Sequence, residues 1–189
     1  MKNIVIFASG GGSNAENIIK FFKNHQNIRV ALVVSNSSKA KVLERARRQS
    51  VPTIIFNKTD LQTGKVLQFL KKRKINFVVL AGFLLKIPTG IINEYNNKII
   101  NIHPSLLPKY GGRGMYGIKV HEKVKISGDT KTGITIHFVN QNYDEGKVIF
   151  QAQCFIKKNT TVKTIEKKVR NLEMQFFPYI IEKVLNGKY

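Results

Sequence analysis

Short runs of unbroken apolar residues, each followed by a stretch with helical spacing, constrain this chain more than any other feature. Ile4-Val5-Ile6-Phe7-Ala8 is the first run, and residues 14–22 then place Ile18, Ile19 and Phe22 on one helical face. The pattern repeats with Val30-Ala31-Leu32-Val33-Val34 before a basic helix over 39–49, and with Thr53-Ile54-Ile55-Phe56 before a helix over 61–72. Phe77-Val78-Val79-Leu80-Ala81 closes the series. A strand that is apolar on both faces has to be covered on both, so strands of this kind separated by helices predict right-handed crossovers and a mostly parallel sheet with helices on either side.

Past residue 88 the pattern changes. Pro88 opens another short helix, and Lys98-Ile99-Ile100-Asn101-Ile102 reads as a further strand. Residues 132–139 alternate, with Ile134, Ile136 and Phe138 on one face, and residues 148–156 follow a glycine-containing turn, which predicts an antiparallel pair added to the sheet. A last helix spans 161–185, and Pro178 is expected to kink or interrupt it. With no linker and no internal repeat in 189 residues, the expectation is one α/β domain over residues 1–189.

Composition excludes several classes. Apolar residues make up 42% and charged residues 23%, which disfavours disorder and low-complexity architectures. A single cysteine, Cys154, permits no intrachain disulfide, and four histidines are too few for a zinc cluster, so no metal is expected and a reducing, cytoplasmic setting fits. No apolar stretch approaches the roughly 20 residues of a membrane span, so no membrane association is expected. The net charge of +21 suggests a nucleic-acid partner, but the 32 basic residues are 25 lysines and only 7 arginines spread along the chain. The densest run, Lys71-Lys72-Arg73-Lys74, reads as a solvated helix end, so the charge is taken as compositional bias with no specific nucleic-acid partner.

Three segments carry residues suited to chemistry. Gly10-Gly11-Gly12-Ser13-Asn14-Ala15 lies between the first strand and the first helix, where backbone amides and the helix dipole favour an anion. Its spelling also satisfies G-x-G-x-x-A, yet the acid expected about 20 residues on for a dinucleotide ribose is missing, which favours a single phosphate group over a dinucleotide. Asn101 and His103 flank Ile102 at the carboxyl end of a strand, where open parallel sheets bind ligands, and two prolines, Pro104 and Pro108, shape the exit. A hydrogen-bonded core histidine is the plainer reading of His103. Asp144 sits in the loop between the two late strands, either as a turn residue or beside His103, where a carboxylate would orient the ring and favour its protonated form. Cys154, inside an alternating strand, reads as a small buried hydrophobe.

Taken together, Gly10 to Asn14, Val79-Leu80-Ala81-Gly82-Phe83, Asn101-Ile102-His103-Pro104-Ser105-Leu106-Leu107-Pro108-Lys109-Tyr110, and His137-Phe138-Val139 with Asp144 and Gly146 resemble the phosphoribosylglycinamide formyltransferases. This is a branch of the folate-dependent formyltransferases, and the likeness runs from about Ile4 to Pro178. It implies an enzyme that transfers a formyl group from 10-formyltetrahydrofolate to the amine of glycinamide ribonucleotide in purine nucleotide synthesis, without a metal. The resemblance implies that Asn101 and His103 face the formyl carbon and Asp144 supports His103. It also gives Gly12, Ser13 and Asn14 to the phosphate, with Glu173 on the ribose and Arg170, three residues earlier on the same helical face, beside the phosphate. Leu84, Leu85, Lys86 and Ile87, with Asn140, Gln141, Asn142, Tyr143, Asp144 and Asn101, would bind the folate. Leu84-Leu85-Lys86 departs from the Met-Arg pair common in relatives, which bears on how the folate glutamate tail is anchored. The glycine-rich segment Gly111 to Gly117 reads equally as a lid or as a surface loop. Two alternatives remain: a methionyl-tRNA formyltransferase, against which the length counts, and a basic nucleic-acid-binding module, which leaves Asn101, His103 and Asp144 unexplained.

Overall fold

A computed structural model describes residues 1–189. Seven strands form one sheet in the order β3-β2-β1-β4-β5-β6-β7: β1 (Lys2–Phe7), β2 (Ile28–Ser35), β3 (Thr53–Ile55), β4 (Phe77–Leu80), β5 (Ile99–His103), β6 (Lys131–Phe138) and β7 (Val148–Phe155). The helices are α1 (Ser13–Phe22), α2 (Lys41–Arg48), α3 (Lys58–Gln62), α4 (Lys65–Lys72), α5 (Thr89–Glu94), α6 (Ile118–Ile126) and α7 (Val162–Leu185). The mostly parallel α/β architecture with a late antiparallel pair is the one expected. Packing divides the chain into two compact units, Met1–Ile100 and Asn101–Tyr189.

In the first unit β1 pairs in parallel with β2 and β4, and β2 with β3. Ile4 to Ala8, Val78 and Val79 are fully or almost fully buried, as strands covered on both faces require. Burying each such aliphatic side chain is worth roughly 1.5–3 kcal/mol, so this strand series is a principal source of the unit's stability. α1 contributes Ala15, Ile18, Ile19 and Phe22 to that core, which is the face its spacing predicted. The helix expected over 61–72 is two helices. Gly64 stands between them at φ +83°, and an Asn57–Asp60 capping box starts the first.

In the second unit β6 and β7 pair antiparallel, Ile134 opposite Ala152 and Thr135 opposite Gln151. Of the expected apolar face Ile134, Ile136 and Phe138, the first two are buried and Phe138 half-buried, and Thr135 and His137 on the other face are buried as well. Gly133 is required there, since a Cβ at that position would lie 1.9 Å from the Ala152 carbonyl oxygen. α6 was not anticipated; it buries Val120, His121 and Val124. Pro178 does not end α7, which continues to Leu185 with Phe177, Ile180 and Ile181 buried around the proline. Cys154 is half-buried, and burial pushes its thiol up despite the opposing charge of Lys168. No helix is long and apolar enough to cross a membrane.

Candidate active site

The second unit brings together Asn101, His103 and Asp144, which are far apart in sequence. Asn101 and His103 are alternate residues of β5, so their side chains leave the strand on one face. The imidazole of His103 is almost entirely buried. Its Nε2 lies 2.8 Å from the main-chain carbonyl of Tyr110, and its Nδ1 lies 3.4 Å from Asp144 Oδ2. A carbonyl only accepts, so the Nε2–H donates to Tyr110 and Nδ1 is the nitrogen turned to the carboxylate.

His137, on β6, completes the group, although the sequence reading gave it no role. Its Nδ1 donates to the carbonyl of Phe138 at 2.8 Å, which leaves Nε2 as an acceptor for Asn101 Nδ2 at 3.1 Å. Asn101 Nδ2 also donates to Asp144 Oδ1, at 3.4 Å, and His137 Nε2 lies 3.7 Å from that same oxygen. The second histidine therefore assigns the Asn101 amide: the nitrogen faces Asp144 and His137, and the oxygen is turned away from them.

Asp144 is the hub, with φ +58° and its side chain 12% exposed. Burial pushes its carboxyl pKa up, but the hydrogen bond and charge of His103, the nearby His137 and the Gly112 amide together hold it well below the usual carboxylate range. Gly112 N–H donates to Oδ2 at 2.9 Å. Gly111 packs closely beside it: a Cβ there would meet Leu107 Cδ2 at 2.6 Å and Asp144 Cβ at 3.2 Å, so the leucine end and the carboxylate would have to give way. The start of the glycine-rich segment is thus a close-approach wall of the cluster.

The chain leaving His103 is moored from β6 and β7. Thr135 Oγ1 donates to Ser105 O at 2.7 Å and accepts from Leu107 N at 2.9 Å and from Gln151 Nε2 at 2.8 Å. Gln151 Nε2 also reaches Leu107 O at 3.0 Å. The buried Thr135 hydroxyl and the Gln151 amide thus find partners in the segment that leaves His103.

The remaining expected site residues fall into two groups. In the first unit Gly10 and Gly11 are exposed, and Gly12, at φ +76°, precedes α1 with no side-chain cap on the helix amides. Gly12 also packs so closely that a Cβ would come within 2.5 Å of Val42. Ser13 and Asn14 are half-buried in the first turn, an anion-ready arrangement. Leu84 is exposed with its backbone N–H donated to Ser9 Oγ at 2.9 Å, Lys86 is exposed, Leu85 is half-buried and Ile87 is in the core. In the second unit Asn140, Gln141, Asn142 and Tyr143 are exposed, tied locally by Asn142 N to Asn140 Oδ1 and by Asn142 Nδ2 to Glu145. On α7 Arg170 is exposed and Glu173 half-buried. No three His, Cys, Asp or Glu side chains gather in an arrangement able to hold a metal ion.

Sequence and fold both match a known family. The formyl transferase family model matches residues 2–181. A chloroplastic phosphoribosylglycinamide formyltransferase of Arabidopsis thaliana is 36% identical over 187 residues, covering 95% of this chain and 64% of that protein. The phosphoribosylglycinamide formyltransferase of Bacillus subtilis is 34% identical, covering 98% of this chain and 95% of that one. Among solved structures, that of phosphoribosylglycinamide formyltransferase from Bacillus halodurans superposes with a TM-score of 0.88 at 35% identity, covering 97% of this chain and 95% of that one. This chain therefore spans less than two thirds of the plant relative and nearly the whole of the bacterial ones.

Proposed function

The chain belongs to the formyl transferase family, and on that premise we propose that it transfers the formyl group of 10-formyltetrahydrofolate to the primary amine of glycinamide ribonucleotide. The observation that carries this reading is the cluster of Asn101, His103 and Asp144, in which a buried carboxylate kept ionised is shared by an oriented amide and an imidazole. In the reaction the amine nitrogen bonds to the formyl carbon, the bond from that carbon to the folate nitrogen breaks, one proton leaves the amine and one is gained by the folate. Negative charge develops on the formyl oxygen, and a preorganised N–H donor stabilises it where it forms.

Asn101 Nδ2 supports that role because its bond to Asp144 is the longer of its two and the easier to exchange for a substrate oxygen. The His103 Nδ1 and the Asp144 carboxylate form the pair that takes up and returns the proton. An ionised Asp144 keeps that pair electrostatically matched through the step. Gly12, Ser13 and Asn14 would take the phosphate on uncapped helix amides, with Arg170 adding charge to the phosphate and Glu173 accepting from the ribose hydroxyls. Leu84 to Ile87 and Asn140 to Asp144 would hold the folate. Residues 1–189 acting as one cytoplasmic catalytic domain, with small-molecule substrates, no metal, no specific nucleic acid and no membrane partner, belong to the same proposal.

The test is a product assay. The purified protein is incubated with 10-formyltetrahydrofolate and either glycinamide ribonucleotide or methionyl-tRNA, and the formylated amine is identified by mass spectrometry. Formyl glycinamide ribonucleotide as the product supports the reading. Its absence, or formylation of methionyl-tRNA instead, overturns it.

A further inference from the structure

We infer that the Tyr110 phenol and Asp129 form a clamp that aims His103: Tyr110 is a positioning residue, its side chain holding its own main-chain carbonyl against the imidazole. The inference rests on the function proposed above for its consequence in turnover, but the geometry stands apart from it.

The His103 Nε2–H has a backbone partner, the Tyr110 carbonyl at 2.8 Å, so the orientation of the ring depends on the course of the chain seven residues later. That course is unusual. Tyr110 has φ +59°, in the left-handed region that a bulky side chain seldom enters, so its surroundings must hold it there. The far end of its ring supplies a restraint. The phenol O–H donates to Asp129 Oδ2 at 2.9 Å and also contacts Ser127 Oγ. Asp129 is gripped in turn by Lys109 Nζ, 3.2 Å from one carboxylate oxygen and 3.3 Å from the other. Ser127 is fixed to the end of α6 through Val124 O at 3.0 Å. One residue therefore has its ring moored to the turn after α6 and its carbonyl committed to His103. The Tyr110 hydrogen bond, aided by Lys109 and opposed by burial, holds the Asp129 carboxyl below its ordinary value, so the moored bond ends on a charge and is stronger than a neutral one.

Tyr110→Phe keeps the ring and removes only the hydroxyl; Asp129→Ala removes the acceptor. Two readouts on the full chain test the clamp. In nitrogen-15 NMR of the histidine side chains, the His103 Nε2–H should be a slowly exchanging proton that exchanges at least about tenfold faster in either variant, the equivalent of losing one charge-assisted bond. In steady-state formyl transfer, kcat should fall roughly tenfold while both KM values stay within about twofold, and the double variant should be no worse than the poorer single. Unchanged exchange in both variants overturns the clamp, whatever happens to melting temperature or rate. So does a fully additive double variant. A wild-type chain that fails to formylate glycinamide ribonucleotide removes the proposed function but leaves the exchange measurement to decide the clamp.

Discussion

Between Gly10 and Asn14 the chain offers backbone amides at a helix start, whereas around Asp144 it offers side chains gathered from β5, β6 and two loops. The first region consists of five consecutive residues, moored to α2 by the Val42 N–H on the Gly10 carbonyl and by the close packing of Gly12 on Val42. The second is built tertiarily, and each of its members holds another: His137 sets the Asn101 amide, Asp144 takes Gly112, and Tyr110 takes His103. Backbone sites suit holding a fixed charge such as a phosphate, and their identity lies in conformation. Side-chain clusters suit chemistry, because the charge on each group is tuned by its neighbours. Mutations should therefore separate the two regions, with binding failing in one and turnover in the other.

The largest effect is expected at His103. His103→Ala should lower kcat by roughly 10²–10³, the scale of losing one preorganised polar group at a reacting centre, while the protein stays folded. A kcat within tenfold of wild type would move the chemistry out of the cluster. Next comes Gly12→Ala, which combines a left-handed backbone with a Cβ 2.5 Å from Val42. It should destabilise the protein by roughly 1–3 kcal/mol and raise the KM for glycinamide ribonucleotide more than that for the folate. Gly11→Ala, where a Cβ meets nothing within 4 Å, is the control and should change stability by less than about 0.5 kcal/mol. Equal melting temperatures for the two variants would contradict this reading of the loop.

A smaller and pH-dependent effect is expected from Asp144. Its folded carboxyl is held below the ordinary range, so it contributes stability that is fully present above the unfolded value, about 3.9, and is lost as pH falls through the folded value. Asp144→Asn lacks that contribution. Urea unfolding of the two proteins should thus show a stability gap that is constant near neutrality and closes in acid; a gap that widens in acid would contradict the depressed carboxyl. The smallest effects belong to α7. Arg170→Ala and Glu173→Ala should raise the KM for glycinamide ribonucleotide by a few-fold, leave the folate KM unchanged, and alter stability by less than about 1 kcal/mol. Equal weakening of both substrates, or of neither, removes them from the site.

The same contrast governs what could be read before the structure. The loop was legible because strand, glycines and helix follow one another in sequence, and the parallel core was legible because its strands are apolar on both faces. Two local signals were present but overlooked: Asn57 and Asp60 at capping-box spacing, and Gly64, which divides the helix expected over 61–72. α6 carries Val120 and Val124 one turn apart, a short pattern diluted by lysines. The Asp144 hub was named as a candidate, but its contacts with Asn101, His103 and Gly112 join residues 32 to 43 positions apart, which no periodicity encodes. His137 was missed because alternation in β6 marks the Ile134 face as buried and says nothing of the other. A buried strand that keeps Thr135 and His137 on its second face is the signal that such residues have partners.

On the proposed function, the chemistry falls to Asn101, His103 and Asp144 and the phosphate of glycinamide ribonucleotide to Gly12, Ser13 and Asn14. A single-turnover measurement on Asn101→Ala, with both substrates saturating and the dissociation constant for glycinamide ribonucleotide measured in parallel, tests that assignment most directly. The formyl-transfer step should slow by roughly 10²–10³ with that dissociation constant within about twofold of wild type. A chemical step at the wild-type rate, or a loss explained entirely by weaker binding of the ribonucleotide, would contradict it.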